Sequence, residues 1–151
     1  MTDRVGAGSS EATVRRARVL YQRVLGFNMF LHLVIGLACI FVPYWVSRTF
    51  DLPRPIPTGW VRGWGATLIL VTALYVPGLR DPAGHREPNY IGVGGRFWMG
   101  TIWLICGGGF LAFSLFDYVW AVILGILYLR LVRTVKPSPG SRSASIPVDP
   151  G

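Results

Sequence analysis

Asn28 and His32 stand four positions apart in a stretch otherwise built from apolar residues, so any helix that contains them carries both on one face. An amide and an imidazole in hydrocarbon are expensive, face other protein groups, and mark binding sites or proton relays. Packing is the competing role, because interhelical hydrogen bonds of this kind contribute roughly 0.6 kcal/mol each. Antiparallel threading of the apolar segments brings Tyr75, Arg96 and Tyr128 to the same leaflet. Asn28, His32, Tyr75, Arg96 and Tyr128 therefore form the candidate ligand-binding cluster, of a kind that suits a quinone headgroup or a proton relay.

Other chemistries find little support. A haem would need a second axial ligand, and the remaining histidine, His85, falls in a Gly- and Pro-containing segment. Clustered His, Cys and carboxylate ligands for a metal are missing from the sequence pattern. Cys39 and Cys106 sit at depths that differ by roughly 9 Å at 1.5 Å of rise per residue. That mismatch exceeds what a disulfide tolerates, so both read as small buried apolar residues. No catalytic residue is assigned. Asp117, expected at an outer turn, is a candidate for an ion pair with Arg48 or Arg62 of the preceding outer loop, which also holds Arg54. Gly63, Gly65, the run Gly107 to Gly109, and Ala121 with Gly125 are read as close-packing signals between helices.

The elements that position these groups follow from the distribution of charge. The chain of 151 residues is 52% apolar and only 15% charged, against about 25% charged in soluble domains. No Asp, Glu, Lys or Arg occurs between Arg23 and Arg48, Arg62 and Arg80, or Arg96 and Asp117. Such windows signal membrane spans. The net charge of +8 resides in arginines at the ends of these windows, where lipid headgroups and not nucleic acid are the partner. The first window is too long for a signal-peptide core, so it is expected to remain as a helix.

The expected fold class is an all-α membrane protein, an antiparallel bundle of four transmembrane helices. Residues 1–10 are expected to be disordered, and a basic amphipathic turn from Glu11 leads into span 1 at about 24–46. Pro53, Pro55 and Pro57 make an extended connector. Span 2 is expected at about 59–76, stopped by Pro77 and Gly78, and a Gly- and Pro-rich loop over 79–95 follows. The apolar stretch between Arg96 and Arg130 is too long for one crossing. It divides into span 3 at about 97–113 and span 4 at about 116–132, with a turn near Ser114 to Asp117. The domain thus covers 11–133, and a disordered tail follows over 134–151. Alternate loops carry twelve Lys and Arg on one side and three (Arg48, Arg54, Arg62) on the other, which places both termini in the cytoplasm.

From about Arg18 to Arg133 the chain resembles the DoxX-like group of small four-helix bacterial membrane proteins, which includes relatives of unknown function. The resemblance is carried by Gly26-Phe27-Asn28, by the Pro-rich loop running into Gly59-Trp60-Val61-Arg62-Gly63-Trp64-Gly65-Ala66-Thr67, by Tyr75-Val76-Pro77, and by Gly95-Arg96. It implies a bundle in the inner membrane, and some members of the wider group are linked to quinone-coupled sulfur or redox complexes. No agreed catalytic residues carry over, and this chain lacks their paired-cysteine motif.

Three functional classes stay open on the sequence. The first is a non-enzymatic accessory protein or complex subunit, whose partners are the bilayer and another membrane protein or a second copy of the chain. The second is a quinone- or lipid-associated redox component that uses the His32 face. The third is a small transporter or channel, for which spans 3 and 4 supply few polar groups: Thr101, Ser114, Tyr118 and Tyr128.

Overall fold

The computed structural model describes residues 3–135, with side chains from Glu11 onward, and all its regular structure is helical. Helix α1 spans Asp3–Phe41, α2 Pro43–Thr49, α3 Gly59–Leu74, α4 Val76–Arg80, α5 Arg86–Cys106 and α6 Leu111–Thr134. Helix thus begins at Asp3, within the N-terminal stretch expected to be disordered. The tail expected to be disordered lies outside the described residues from 136 on.

Proline sets two of the breaks. Pro43 has no N–H and its ring crowds the carbonyl four residues back, so α1 ends at Phe41, Val42 leaves helical geometry (φ −130°, ψ 52°), and α2 restarts with Pro43 at its first position. Of the connector expected after span 1, only residues 47–49 are therefore helical. At Pro77 the chain only kinks, because Tyr75 N–H still reaches Val71 O at 3.3 Å and Leu79 N–H reaches Tyr75 O at 2.9 Å.

Two expectations are corrected. The supposed loop over 79–95 shrinks to a short turn between α4 and α5, and Gly92, Gly94 and Gly95 are helical. Glycine costs a helix only about 1 kcal/mol, and Gly92 has a packing reason: a Cβ there would lie 2.4 Å from Tyr75 Cε1. The turn between the last two long helices sits at Gly107 and Gly108, whose φ values of 67° and 54° favour glycine. It does not sit at Ser114–Asp117, which are helical within α6; Ser114 Oγ donates to Gly100 O of α5 at 2.8 Å. The glycine run is a reversal of the chain and not only a packing surface. Cys39 is buried as expected, whereas Cys106 is exposed.

α1 packs along α3 and α6, and α6 packs along α5. The contacts fall in three levels. At one end Arg18 pairs with Asp81 at 3.4 Å, Gln22 Nε2 donates to Leu79 O at 2.8 Å, and Tyr21, Tyr75, Leu124 and Tyr128 share a core. At the other end Cys39, Val46 and Val61 form a second core, beside which the ring of Trp64 packs on Trp103 and Phe113. Polar side chains occupy the level between.

The exterior is as apolar as a core. Phe41 (74% exposed), Ile91 (72%), Trp98 (67%) and Ile105 (76%) face outward, while Asn28 (0%), His32 (5%) and Arg96 (3%) are buried. Water does not favour that arrangement. Three segments, Glu11–Phe41, Gly59–Arg80 and Gly108–Thr134, are long and apolar enough to cross a membrane.

α1 and α3 meet backbone to backbone. A Cβ on Gly65 would lie 2.5 Å from Gly36 O and 2.7 Å from Cys39 Cβ, and neither atom belongs to a flexible side-chain tip. Gly65→Val is expected to push the two helices apart and to lower stability by about 1–3 kcal/mol. A fall in the unfolding midpoint in detergent micelles checks this; an unchanged midpoint would contradict it.

Candidate functional site

Arg96 is the eleventh residue of α5 and so lies midway along that helix. Its guanidinium joins three other helical side chains. Nη1 donates to Asp117 Oδ1 of α6 at 3.2 Å, and Nη2 donates to Asn28 Oδ1 of α1 and approaches His32 Nε2 at 2.9 Å. Guanidinium nitrogens only donate, so His32 Nε2 must accept, which places the imidazole proton on Nδ1. The His32 ring is flanked by Tyr75 and Phe116 at centroid distances of 6.5 and 6.2 Å.

Four of the five residues expected in the cluster therefore come together: Asn28, His32, Arg96 and, against the His32 ring, Tyr75. Tyr128 does not join them. Its hydroxyl donates to Pro82 O at 3.1 Å, and its ring packs on Tyr21 and Tyr90 at 5.2 and 5.1 Å. Nearby, Tyr21 donates to Asn89 Oδ1 at 2.8 Å; Asn89 carries no signal in the sequence because the Gly- and Pro-rich composition of 79–95 predicts a loop there.

The expected ion pair of Asp117 with Arg48 or Arg62 is replaced by the pair with Arg96. Arg48 and Arg62 are exposed. Once the chain reverses at Gly107, Asp117 lies inside the protein opposite Arg96 and not at an outer turn. Arg96 likewise leaves the loop count, which becomes eleven basic residues against three by removing one from twelve.

These charges stand at the bottom of a cavity of about 460 Å³. The backbones of α3 and α5 stay apart, the two helices meeting through the rings of Trp64 and Trp103, and the cavity opens between them. Trp64, Leu68 and Val71 of α3 form one wall, and Ile91, Gly95 and Met99 of α5 the other. His32 and Ile35 of α1, with Phe116 and Asp117 of α6, close it from behind. The volume falls within the ~300–1,000 Å³ range of small-molecule sites. Its lining runs from Glu87 to Trp103 of α5, roughly 24 Å at 1.5 Å per residue.

The polar groups are incompletely satisfied. Asn28 Nδ2, His32 Nδ1 and Arg96 Nε are buried and make no hydrogen bond among the described residues. A buried donor left unpaired costs about 1–3 kcal/mol, so three around one guanidinium are unfavourable for packing alone. All three are donors. Among the described residues no group of three or more His, Cys, Asp or Glu side chains is placed to hold a metal ion.

No protein-family model, curated protein or solved structure matches the chain.

Proposed function

We propose that this chain is a four-span integral membrane protein that holds a lipophilic molecule in the cleft between α3 and α5. The observation that carries this reading is the cleft itself: an elongated apolar cavity, open sideways between two helices, with one polar group cluster halfway along it. A site that opens toward acyl chains receives ligands dissolved in the bilayer, and the apolar exterior supports placing the chain there.

In this reading α5 is the fourth span beside the three apolar segments, and the four helices run antiparallel. Its internal charge, Arg96, is neutralised by Asp117, which removes the objection that a span should carry none. Eleven basic residues against three place both termini in the cytoplasm. The DoxX-like resemblance supports the same architecture and a bacterial inner membrane.

The protein acts as an accessory component that binds, presents or stores the lipophile. A redox version, with a quinone on the His32 face, is favoured by the presence of His32 in the cleft lining. Purification in mild detergent, followed by mass spectrometry of the organic extract, is expected to recover a bound lipophile in near-stoichiometric amount. Recovery of protein with only bulk phospholipid would count against the proposal. Loss of membrane redox activity in His32→Leu would select the redox version.

A further inference from the structure

Resting on that reading of the cleft, we infer that its ligand is a neutral lipophile bearing a hydrogen-bond-accepting carbonyl, and not an anionic amphiphile. Three observations carry the inference. The unpaired buried polar atoms on the lining residues are N–H groups, His32 Nδ1 and Arg96 Nε. Donors call for an acceptor, and a carbonyl oxygen offers two lone pairs without bringing a further donor that would itself need a partner.

Charge is the second observation. The Arg96 guanidinium already faces Asp117 at 3.2 Å, and both line the cleft together with Glu87. A carboxylate or phosphate ligand would add an unbalanced negative charge to a low-dielectric site where the single cation is committed. A carbonyl oxygen accepts the same hydrogen bonds without that charge.

Depth is the third. Arg96 is ten residues from the start of α5 and ten from its end at Cys106, roughly 15 Å from either at 1.5 Å per residue. Phospholipid headgroups sit at the membrane surface, whereas a neutral carbonyl on an apolar body reaches mid-depth without dragging charge through hydrocarbon.

The chemistry is shared by ring ketones such as quinones and by ester lipids such as diacylglycerol. The test uses full-length protein in phosphatidylcholine nanodiscs and five probes: a decyl-benzoquinone, a diacylglycerol, a long-chain alkanoate, an alkyl phosphate and an alkane. Binding is read by Trp fluorescence, since Trp64 and Trp103 line the cleft, and by competition against the tightest probe. At least one carbonyl probe is expected to bind about tenfold or more tighter than either anion and the alkane, and which one it is identifies the source.

In His32→Phe the preference for the carbonyl probe over the alkane is expected to fall about tenfold, the value of one to one-and-a-half hydrogen bonds, with alkane binding retained. A variant that merely disturbed the cleft would weaken both equally. Anions binding as tightly as carbonyl probes, or an unchanged preference in His32→Phe, would overturn the inference while leaving a lipophile site intact. Failure of every probe, the alkane included, would instead remove the cleft reading beneath it.

Discussion

Replacing Arg96 with Met is expected to destabilise the protein by about 3–5 kcal/mol, the usual cost of removing one partner of a buried ion pair. Methionine is of comparable length and fills most of the space, so the loss comes from what stays behind. Asp117, with a side chain only 15% exposed, is left without a counter-charge, while Asn28 Oδ1 and His32 Nε2 are left without their donor. Removing both charges in Arg96→Met with Asp117→Leu is expected to recover more than half of the loss. A buried pair is commonly worth little more than the apolar pair that replaces it. Unfolding of reconstituted protein by titrated anionic detergent measures the three variants against the parent. Equal stability of parent and Arg96→Met would mean that water reaches the pair and screens it, which is incompatible with the burial of Asn28, His32 and Arg96 at mid-bundle.

How much of this arrangement the amino-acid order discloses depends on the residue. Two of the charge-free windows, Arg23 to Arg48 and Arg62 to Arg80, fall on the apolar segments Glu11–Phe41 and Gly59–Arg80, because the requirement they express is solvation by hydrocarbon and needs no tertiary partner; the third, Arg96 to Asp117, straddles the reversal at Gly107 and covers parts of both α5 and α6. Asn28, His32 and Arg96 are recognisable as a group because the four-residue spacing puts the first two on one helix face and antiparallel threading brings Arg96 to the same leaflet. Tyr128 matched that depth equally well and yet faces Pro82 and Tyr21; depth along a helix says nothing of rotation about it. The pairing of Asp117 turned on a single choice, the position of the reversal between α5 and α6. Placed at Ser114–Asp117 it leaves Asp117 at the surface, whereas at Gly107 it sets Asp117 opposite Arg96, ten and eleven residues to either side of the bend. Two lone opposite charges at nearly equal distances on either side of Gly107 are themselves a signal for that hairpin. The cleft had no comparable signature, because it results from the backbones of α3 and α5 staying apart above the contact of Trp64 with Trp103, and a gap between helices leaves no periodicity.

Gly95 offers the sharpest separation of binding from folding. It lines the cleft, and a Cβ built on it meets nothing within 4 Å, so a larger side chain there grows into the cavity instead of into the protein. Gly95→Leu is therefore expected to lower ligand occupancy at least tenfold, because the added isobutyl group occupies the space beside Arg96 that a ligand head needs. Stability should hold or rise by up to about 1 kcal/mol, as leucine favours helix over glycine by roughly that amount. Gly94→Leu is the matched control: its Cβ also meets nothing within 4 Å, it brings the same gain in helix propensity, and it lies outside the cleft lining. Occupancy is read by mass spectrometry of lipophile retained after purification and by probe affinity in nanodiscs. Loss in Gly95→Leu with retention in Gly94→Leu assigns binding to the gap between α3 and α5. Equal retention in both would mean that the lipophile rides on the outer apolar surface, and the polar cluster at Arg96 would then owe its place to holding α1, α5 and α6 together.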